Sequence, residues 1–287
     1  MHAPSPAPGT TGTPDLNTVA DLLHGRRLAV LTGAGVSTDS GIPDYRGPGA
    51  PVRTPMTGQQ FLASAESRRR YWAGSHLGWR LMGRARPNAA HALLAEWEAR
   101  GRVHGAITQN VDGLHRQAGT RKLVELHGSL DRVYCLDCGQ GFAREAIAEQ
   151  INAANPWLGE LGDHEADRLN PDGDAEVPEL ARFLAPACTL CGGILKPDVV
   201  FFGETVPVAR FARARDIVAG AEALLVVGSS LTVNSGIRLL EQARRDDSPI
   251  VIINRGRTGG HTRAALNVEG SAAPTLAALD ALLRERD

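Results

Sequence analysis

Short apolar runs alternate along this chain with longer stretches of helical periodicity. Leu28–Thr32 (LAVLT), Gly105–Thr108 (GAIT), Leu224–Val227 (LLVV) and Ile250–Ile253 (IVII) lack a polar face, as expected of strands buried on both sides. Helical patterns lie around and between them: TVADLLHG, opening the ordered chain near Leu16, then HALLAEWEARG, ARFARARDIVAGAE, IRLLEQARRDD and the closing TLAALDALLRER. Strand, crossover helix, strand predicts an α/β fold with a parallel, doubly wound sheet. The helix over Ser235–Arg245 ends in an acidic, Pro-containing turn, DDSP, before the next strand.

Two segments break this rhythm. Gly41–Arg86, rich in Gly, Pro and Arg, predicts a mobile loop followed by short helices. Tyr134–Leu195 holds all four cysteines around the Pro/Asn/Asp-rich stretch WLGELGDHEADRLNPDGDAEVPE, and predicts a small module inserted into the sheet domain. The expected division is a disordered tail over 1–15, a sheet domain over 16–133 and 196–287, and the module over 134–195. No internal repeat is present.

Composition narrows the function classes. The apolar share of 43% is ordinary for a globular protein, and a net charge of −1 leaves no electrostatic footprint for nucleic acid or an anionic membrane. The start, MHAPSPAPGTTGTPDLN, has no Lys or Arg and no apolar core, so it predicts neither a signal nor a transit peptide. No apolar run approaches the roughly 18 residues of a membrane span. A cytoplasmic enzyme is the expectation.

The cysteines form two Cys-x-x-Cys pairs, Cys135/Cys138 in YCLDCG and Cys188/Cys191 in ACTLCGG. Each pair can present two thiolates to one tetrahedral cation, and together they match a structural zinc site with four cysteine ligands. Stretching the intervening loop from a typical ~18 residues to the 49 found here costs only about 0.9 kcal/mol of closure entropy. Two disulfides or a redox pair are the other readings, disfavoured in a reducing compartment.

Other polar residues cluster at predicted strand ends. After Thr32, Gly33-Ala34-Gly35 turns without bulky side chains, which lets backbone N–H groups approach a pyrophosphate. The dinucleotide fingerprint is incomplete: Thr38 stands where a third glycine belongs, and no acidic residue closes a second strand about twenty residues on. A lone G-x-G fits a tight turn equally well, but the following SGIPDYRG packs Asp44, Tyr45 and Arg46 into a Gly/Pro-bounded loop. Gln109, Asn110 and Asp112 in ITQNVDGLH fall at a strand's C-terminal end, where ligands bind in open α/β sheets, although Asn and Asp also cap loops. His127 in VELHG precedes the first cysteine pair by eight residues. Four thiolates already complete a metal shell, which leaves His127 free as a base near its ordinary pKa of about 6.5. Val199–Phe202, stopped by Gly203-Glu204, reads as a core strand. Gly228-Ser229-Ser230 and Asn254-Arg255-Gly256 end two more strands and extend the same crevice.

In order, GAGVSTDSGIPDYRG, TQNVDGLH, LHG, the paired CxxC, KPDVVFFGE, GSSLTV and INRG resemble the sirtuins, the NAD-dependent protein deacylases. The likeness runs from about Leu16 to the C-terminus. RYWAGSHLGW, LDRVYCLDCG and the NPDGD insertion resemble the class II branch containing the mitochondrial lipoamidase and ADP-ribosyltransferase sirtuin. The resemblance implies a deformed Rossmann-type sheet with an inserted zinc-ribbon module, and removal of an acyl group from lysine with consumption of NAD. It implies NAD contacts at Gly33, Ala34, Gly35, Ser37, Asp44, Tyr45, Arg46, Gln109, Asn110, Val111, Asp112, Gly228, Ser229, Ser230, Asn254, Arg255, Gly256 and Ala272. His127 and Asn110 become the catalytic residues, and Val200, Phe201, Phe202, Gly203 and Glu204 the docking segment for acyl-lysine proteins or peptides. Nucleic acid and membrane are not expected partners. The same NAD site could instead serve mono-ADP-ribosyl transfer, or binding without turnover; a dehydrogenase is disfavoured by Thr38 and the missing ribose acid. Succinyl-selective class II members carry a Tyr-x-x-Arg pair in the acyl pocket, and counting back from Pro87-Asn88 places Ser75 and Gly78 there.

Overall fold

The computed structural model describes residues 15–44, 55–159 and 180–287. Nine strands occur among them: β1 (Leu28–Thr32), β2 (Val103–Thr108), β3 (Leu123–Glu125), β4 (Gly128–Cys135), β5 (Gly141–Ala143), β6 (Leu195–Val199), β7 (Ala223–Val227), β8 (Ile250–Asn254) and β9 (Leu266–Glu269). The helices are α1 (Leu16–Leu23), α2 (Gly58–Ala63), α3 (Ala65–Met82), α4 (Ala89–Ala99), α5 (Leu114–Gln117), α6 (Arg144–Ala154), α7 (Val208–Ala219), α8 (Asn234–Arg245) and α9 (Ala272–Arg284).

Six strands form one parallel sheet in the order β3-β2-β1-β7-β8-β9. All five residues of β1 and of β7 are buried, which is why these strands read as unbroken apolar runs. Helices α1, α4 and α9 pack Val19, Leu94 and Leu276 on one face of the sheet, and α7 and α8 pack Ile217 and Leu239 on the other. From β1 the chain moves to β2 and β3 on one side, then returns to β7, β8 and β9 on the other. The carboxyl ends of β1 and β7 therefore flank the topological switch point, where an open α/β sheet leaves a crevice.

The four predicted strands of this sheet are present. Its edge strands β3 and β9 are only three and four residues long, too short to show a period. The second sheet is antiparallel, β5-β4-β6, and pairs Cys135 with Leu195 at one end and Gly128 with Val199 at the other. The expected strand Val199–Phe202 lies farther back, at Leu195–Val199; beyond it Phe202 makes a single parallel bridge to Thr57.

The segment expected to hold short helices contains an 18-residue one, α3. Residues 71–76 of this helix are all buried, so it shows no amphipathic stripe. Tyr71 and Trp72 pack with Phe61, Phe201, Ile147 and Phe183, joining α3 to the cysteine-bearing segment. Residues 1–14 of the expected tail and the NPDGD insertion lie outside the described residues; Asp15, placed in the tail, instead caps α1 by accepting from Asn17 N.

Candidate active site

A cavity of about 800 Å³ opens at the switch point, within the roughly 300–1,000 Å³ of small-molecule sites. The loops after β1, β2, β7 and β8 line it, together with the start of α9 at Ala272 and residues 199–206. Every described residue expected to bind NAD or peptide lines this cavity except Gly256. The Gly256 amide is bonded to the Glu269 carboxylate at 2.8 Å, outside the cavity. Tyr45 and Arg46 lie outside the described residues.

The glycines after β1 have a reason that the sequence did not show. Gly35 N donates to Gly228 O at 2.8 Å, and a Cβ on Gly33 or Gly35 would come within 2.9 Å of the Gly228–Ser229 backbone. Two strand-end loops thus touch main chain to main chain, and the floor of the crevice is built from backbone.

The loop after β2 is tied to that floor. Gln109 N donates to Thr32 O at 2.9 Å, and the Ser229 hydroxyl donates to Gln109 Oε1. Asn110 Nδ2 donates to Gly33 O (3.2 Å) and Ser37 Oγ (3.0 Å). Ser37 in turn donates to Asp112 Oδ2 at 2.7 Å, while Leu114 N donates to the other carboxylate oxygen at 2.9 Å. The Asp112 carboxylate is held from two sides. At the far end Asn254 turns Nδ2 onto the carbonyls of Arg255 and Gly256 at 2.8 and 3.0 Å, which faces its amide oxygen the other way.

Two histidines beneath this loop were not singled out in the sequence. His91 Nε2 lies 3.5 Å from Ser37 Oγ, and His115 Nε2 lies 2.9 Å from Thr32 Oγ1; the two rings meet edge to face at 4.8 Å. Burial lowers both pKa values, that of His115 to about 3, so the pair is neutral, with His91 beneath Ser37 and His115 beneath Thr32. The available signal was Pro87-Asn88 ahead of His91: Asn88 caps α4 and donates to Val36 O at 2.8 Å, fixing the helix to the loop after β1.

His127 stands where the cavity meets the 199–206 segment. Its Nδ1 is 3.0 Å from Gln109 O and its Nε2 2.9 Å from Ser235 Oγ. The ring does not keep its ordinary pKa. Burial first, and then the charge of Arg210, lower it to about 4 against the opposing pull of the Gln109 carbonyl. Val200 N donates to the main-chain carbonyl of His127 at 2.8 Å, which ties the 199–206 segment to the backbone that carries the ring. Within that segment the Glu204 carboxylate is turned inward, accepting from Phe201 N (2.9 Å) and from the buried Lys196 (3.0 Å).

Gly128 allows this arrangement. Its φ is +93°, and a Cβ there would lie 1.7 Å from Asp198 O, on backbone that cannot give. Gly128→Ala is therefore expected to destabilise the fold by about 2–4 kcal/mol, read as a lower denaturant midpoint. A variant with an unchanged midpoint would contradict this packing.

The four cysteine sulfurs lie within 4.8 Å of one another, Cys135 to Cys191 at 3.6 Å and Cys138 to Cys188 at 3.7 Å. Zn–S bonds of about 2.3 Å in a tetrahedron separate sulfurs by about 3.8 Å, so the donor set fits zinc with no open position. All four cysteines are free thiols rather than disulfides. His127 immediately precedes β4 and Cys135 ends it; the β6 partners at those two levels, Val199 and Leu195, are four residues or about 13 Å apart, and none of the cysteines lines the cavity.

Ser75, Oγ included, is buried, and Gly78 is buried in α3. A guanidinium does reach this region: Arg144 Nη2 donates to Ser75 O at 3.3 Å. It is fully buried against the rings of Trp72 and Trp79, at 5.3 and 4.9 Å, and does not line the cavity.

Residues 33–235 match the Sir2 family model. Curated relatives include NAD-dependent protein deacetylase 1 of Streptomyces coelicolor, 51% identical over 92% of this chain and 89% of that protein, and NAD-dependent protein deacetylase 1 of Mycobacterium avium, 48% identical over 94% and 96%. Among solved structures, a Sir2 complex with a p53 peptide and NAD+ superposes with a TM-score of 0.71 at 28% identity, covering 95% of this chain and 98% of that one. A structure solved for the mechanism and regulation of Sir2 enzymes gives 0.72 at 29%, with the same coverage.

Proposed function

This chain belongs to the Sir2 family, and from that premise we propose that its cavity removes acyl groups from lysine side chains of proteins or peptides in an NAD-dependent reaction, releasing nicotinamide, O-acyl-ADP-ribose and free lysine. The observation that carries this reading is His127, half-buried and neutral, at the junction of the backbone-floored crevice and the 200–203 segment. NAD, when bound, supplies the ribose onto which the acyl group is passed.

Each residue's part follows from its place. Gly33, Ala34, Gly35 and Ser37 hold the pyrophosphate region, where absent side chains and the loop's N–H groups suit an anion. Asn110 and Asp112, fixed by Ser37, Gly33 O and Leu114 N, face the nicotinamide ribose and carboxamide, with Gln109 on the ribose. Ser229 and Asn254 hold the adenosine half; Tyr45 and Arg46 cover the nicotinamide end. His127 takes a proton from the ribose diol at Nε2, because Nδ1 is committed to Gln109 O. The peptide adds as a strand along Val200–Phe202 and Gly203-Glu204 through main-chain bonds. Residues 134–195 form the zinc module, which braces the cleft without entering the reaction.

The relatives are bacterial deacetylases and lend no support to the class II branch, which rests on RYWAGSHLGW, LDRVYCLDCG and the NPDGD insertion. No helix among the described residues is long and apolar enough to cross a membrane, and a cytoplasmic location is part of the reading.

Mass spectrometry of products from NAD and a matched set of acyl-lysine peptides tests the proposal. O-acyl-ADP-ribose is expected; ADP-ribosylated protein, NADH or no product would each overturn it. In the same set, acetyl and longer neutral chains should exceed succinyl in kcat/KM. Neither Ser75 nor Gly78 offers a cation or lines the cavity, and Arg144 is enclosed by tryptophans, so the Tyr-x-x-Arg grip on a carboxylate is missing. A clear succinyl preference would refute that selectivity.

A further inference from the structure

We propose that Ser235 is a positioning residue for the catalytic base: in the free enzyme its hydroxyl donates to Nε2 of His127 and holds the ring in the orientation that the ribose hydroxyl must meet. The inference rests on the reading of His127 as the base.

A carbonyl oxygen can only accept, so the 3.0 Å contact between Gln109 O and Nδ1 places a hydrogen on Nδ1. In the neutral ring Nε2 is then a bare acceptor, and Ser235 Oγ, 2.9 Å away, is its donor. The two partners of the ring come from one packed group. A Cβ on Gly236 would lie 3.1 Å from Gln109 Nε2, so the start of α8 rests on the Gln109 side chain. Ser235 is 8% exposed and sits in the first turn of a twelve-residue helix, whose N-terminal end carries partial positive charge. Serine and helix end both favour the neutral imidazole.

The charged groups around the ring do not take over this task. Arg210, from α7, opposes protonation of His127 and is itself held by Asp198 at 2.6 Å. Arg238, one turn along α8, lies over the Phe211 ring at 4.1 Å. Asp112 shares the cavity but is bonded to Ser37 and Leu114 N, and Glu204 is spent on Lys196. In the free enzyme the serine therefore keeps the place at Nε2 that the ribose hydroxyl takes. In the transfer, the ribose O–H bond breaks as the Nε2–H bond forms, while Ser235 stays neutral.

Ser235→Ala and Ser235→Thr in the full-length enzyme test this. With alanine, the acid limb of kcat/KM should move up by about half to one pH unit, the worth of one neutral hydrogen bond to the unprotonated ring. Threonine, which keeps the hydroxyl, should restore the limb, and kcat at pH 8, read after the ribose has displaced the serine, should change less than about threefold in either variant. The titration midpoint of the His127 ring nitrogens, followed by NMR in the free protein, reads the same contact without turnover. An unmoved midpoint in the alanine variant overturns the proposal, whatever happens to kcat. If His127→Ala instead retains turnover, the assignment of the base fails, while the NMR midpoint still decides whether Ser235 holds the ring.

Discussion

His127→Ala is expected to lower deacylation by about 10²–10⁴-fold while NAD affinity stays largely intact. The ring meets the cavity at its junction with the 199–206 segment, whereas the floor proposed for the pyrophosphate is the Gly33–Gly35 and Gly228 backbone, and Ser229 and Asn254 are proposed for the adenosine end. Calorimetry with NAD and product formation in the same preparation separate the two effects. Turnover that falls less than about tenfold would assign the base to another residue. Binding that collapses with turnover would make His127 structural.

The pH profile sharpens this prediction. The base must be neutral, so activity is lost as pH falls through its folded pKa, about 4 instead of the ordinary 6.5. An acid limb near 6.5 would show that the ring is solvated during turnover. Folding must be followed at each pH, because histidines whose pKa is lowered on folding also erode stability. His76, His115 and His127 have folded pKa values lowered to about 4, 3 and 4, so below about 6.5 the unfolded chain binds more protons. Stability is full above that pH and falls as pH drops toward 4, and circular dichroism separates this loss from titration of the base.

Cys188→Ser is expected to unfold or aggregate the protein. A structural zinc site contributes its binding free energy directly to folding, and three thiolates leave the shell open. Cys135 and Cys188 belong to the same buried cluster as Trp72, Phe183 and Phe201, so the loss reaches the 199–206 wall of the cavity as well as the metal. Metal content by atomic emission and the denaturant midpoint should fall together. A well-folded, zinc-free variant with full activity would refute the structural role.

Much of this was legible in the chain because it is local. The strands β1, β2, β7 and β8 are continuous apolar runs, and Cys-x-x-Cys spacing brings two thiolates to one turn whatever the rest of the fold does. Residues at strand ends could be placed together because a parallel sheet puts all its carboxyl ends on one edge. Helix α3 resisted the same reading, since it is buried on every side at 71–76 and its aromatic residues find partners far away in sequence, such as Phe201.

By itself, then, the sequence determined the alternation of strand and helix, the cysteine set and the order of the ligand-bearing loops. Those depend on neighbours a few positions apart. Only the tertiary structure decided the state of His127 and the reasons for the glycines. The His127 pKa reflects desolvation and the charge of Arg210, and its Nε2 partner is 108 residues away. Gly128 and Gly228 are required by backbone from Asp198 and from Gly35–Val36, which no local pattern announces. Burial and long-range contact sum over the whole fold, and they exist only once the chain has closed.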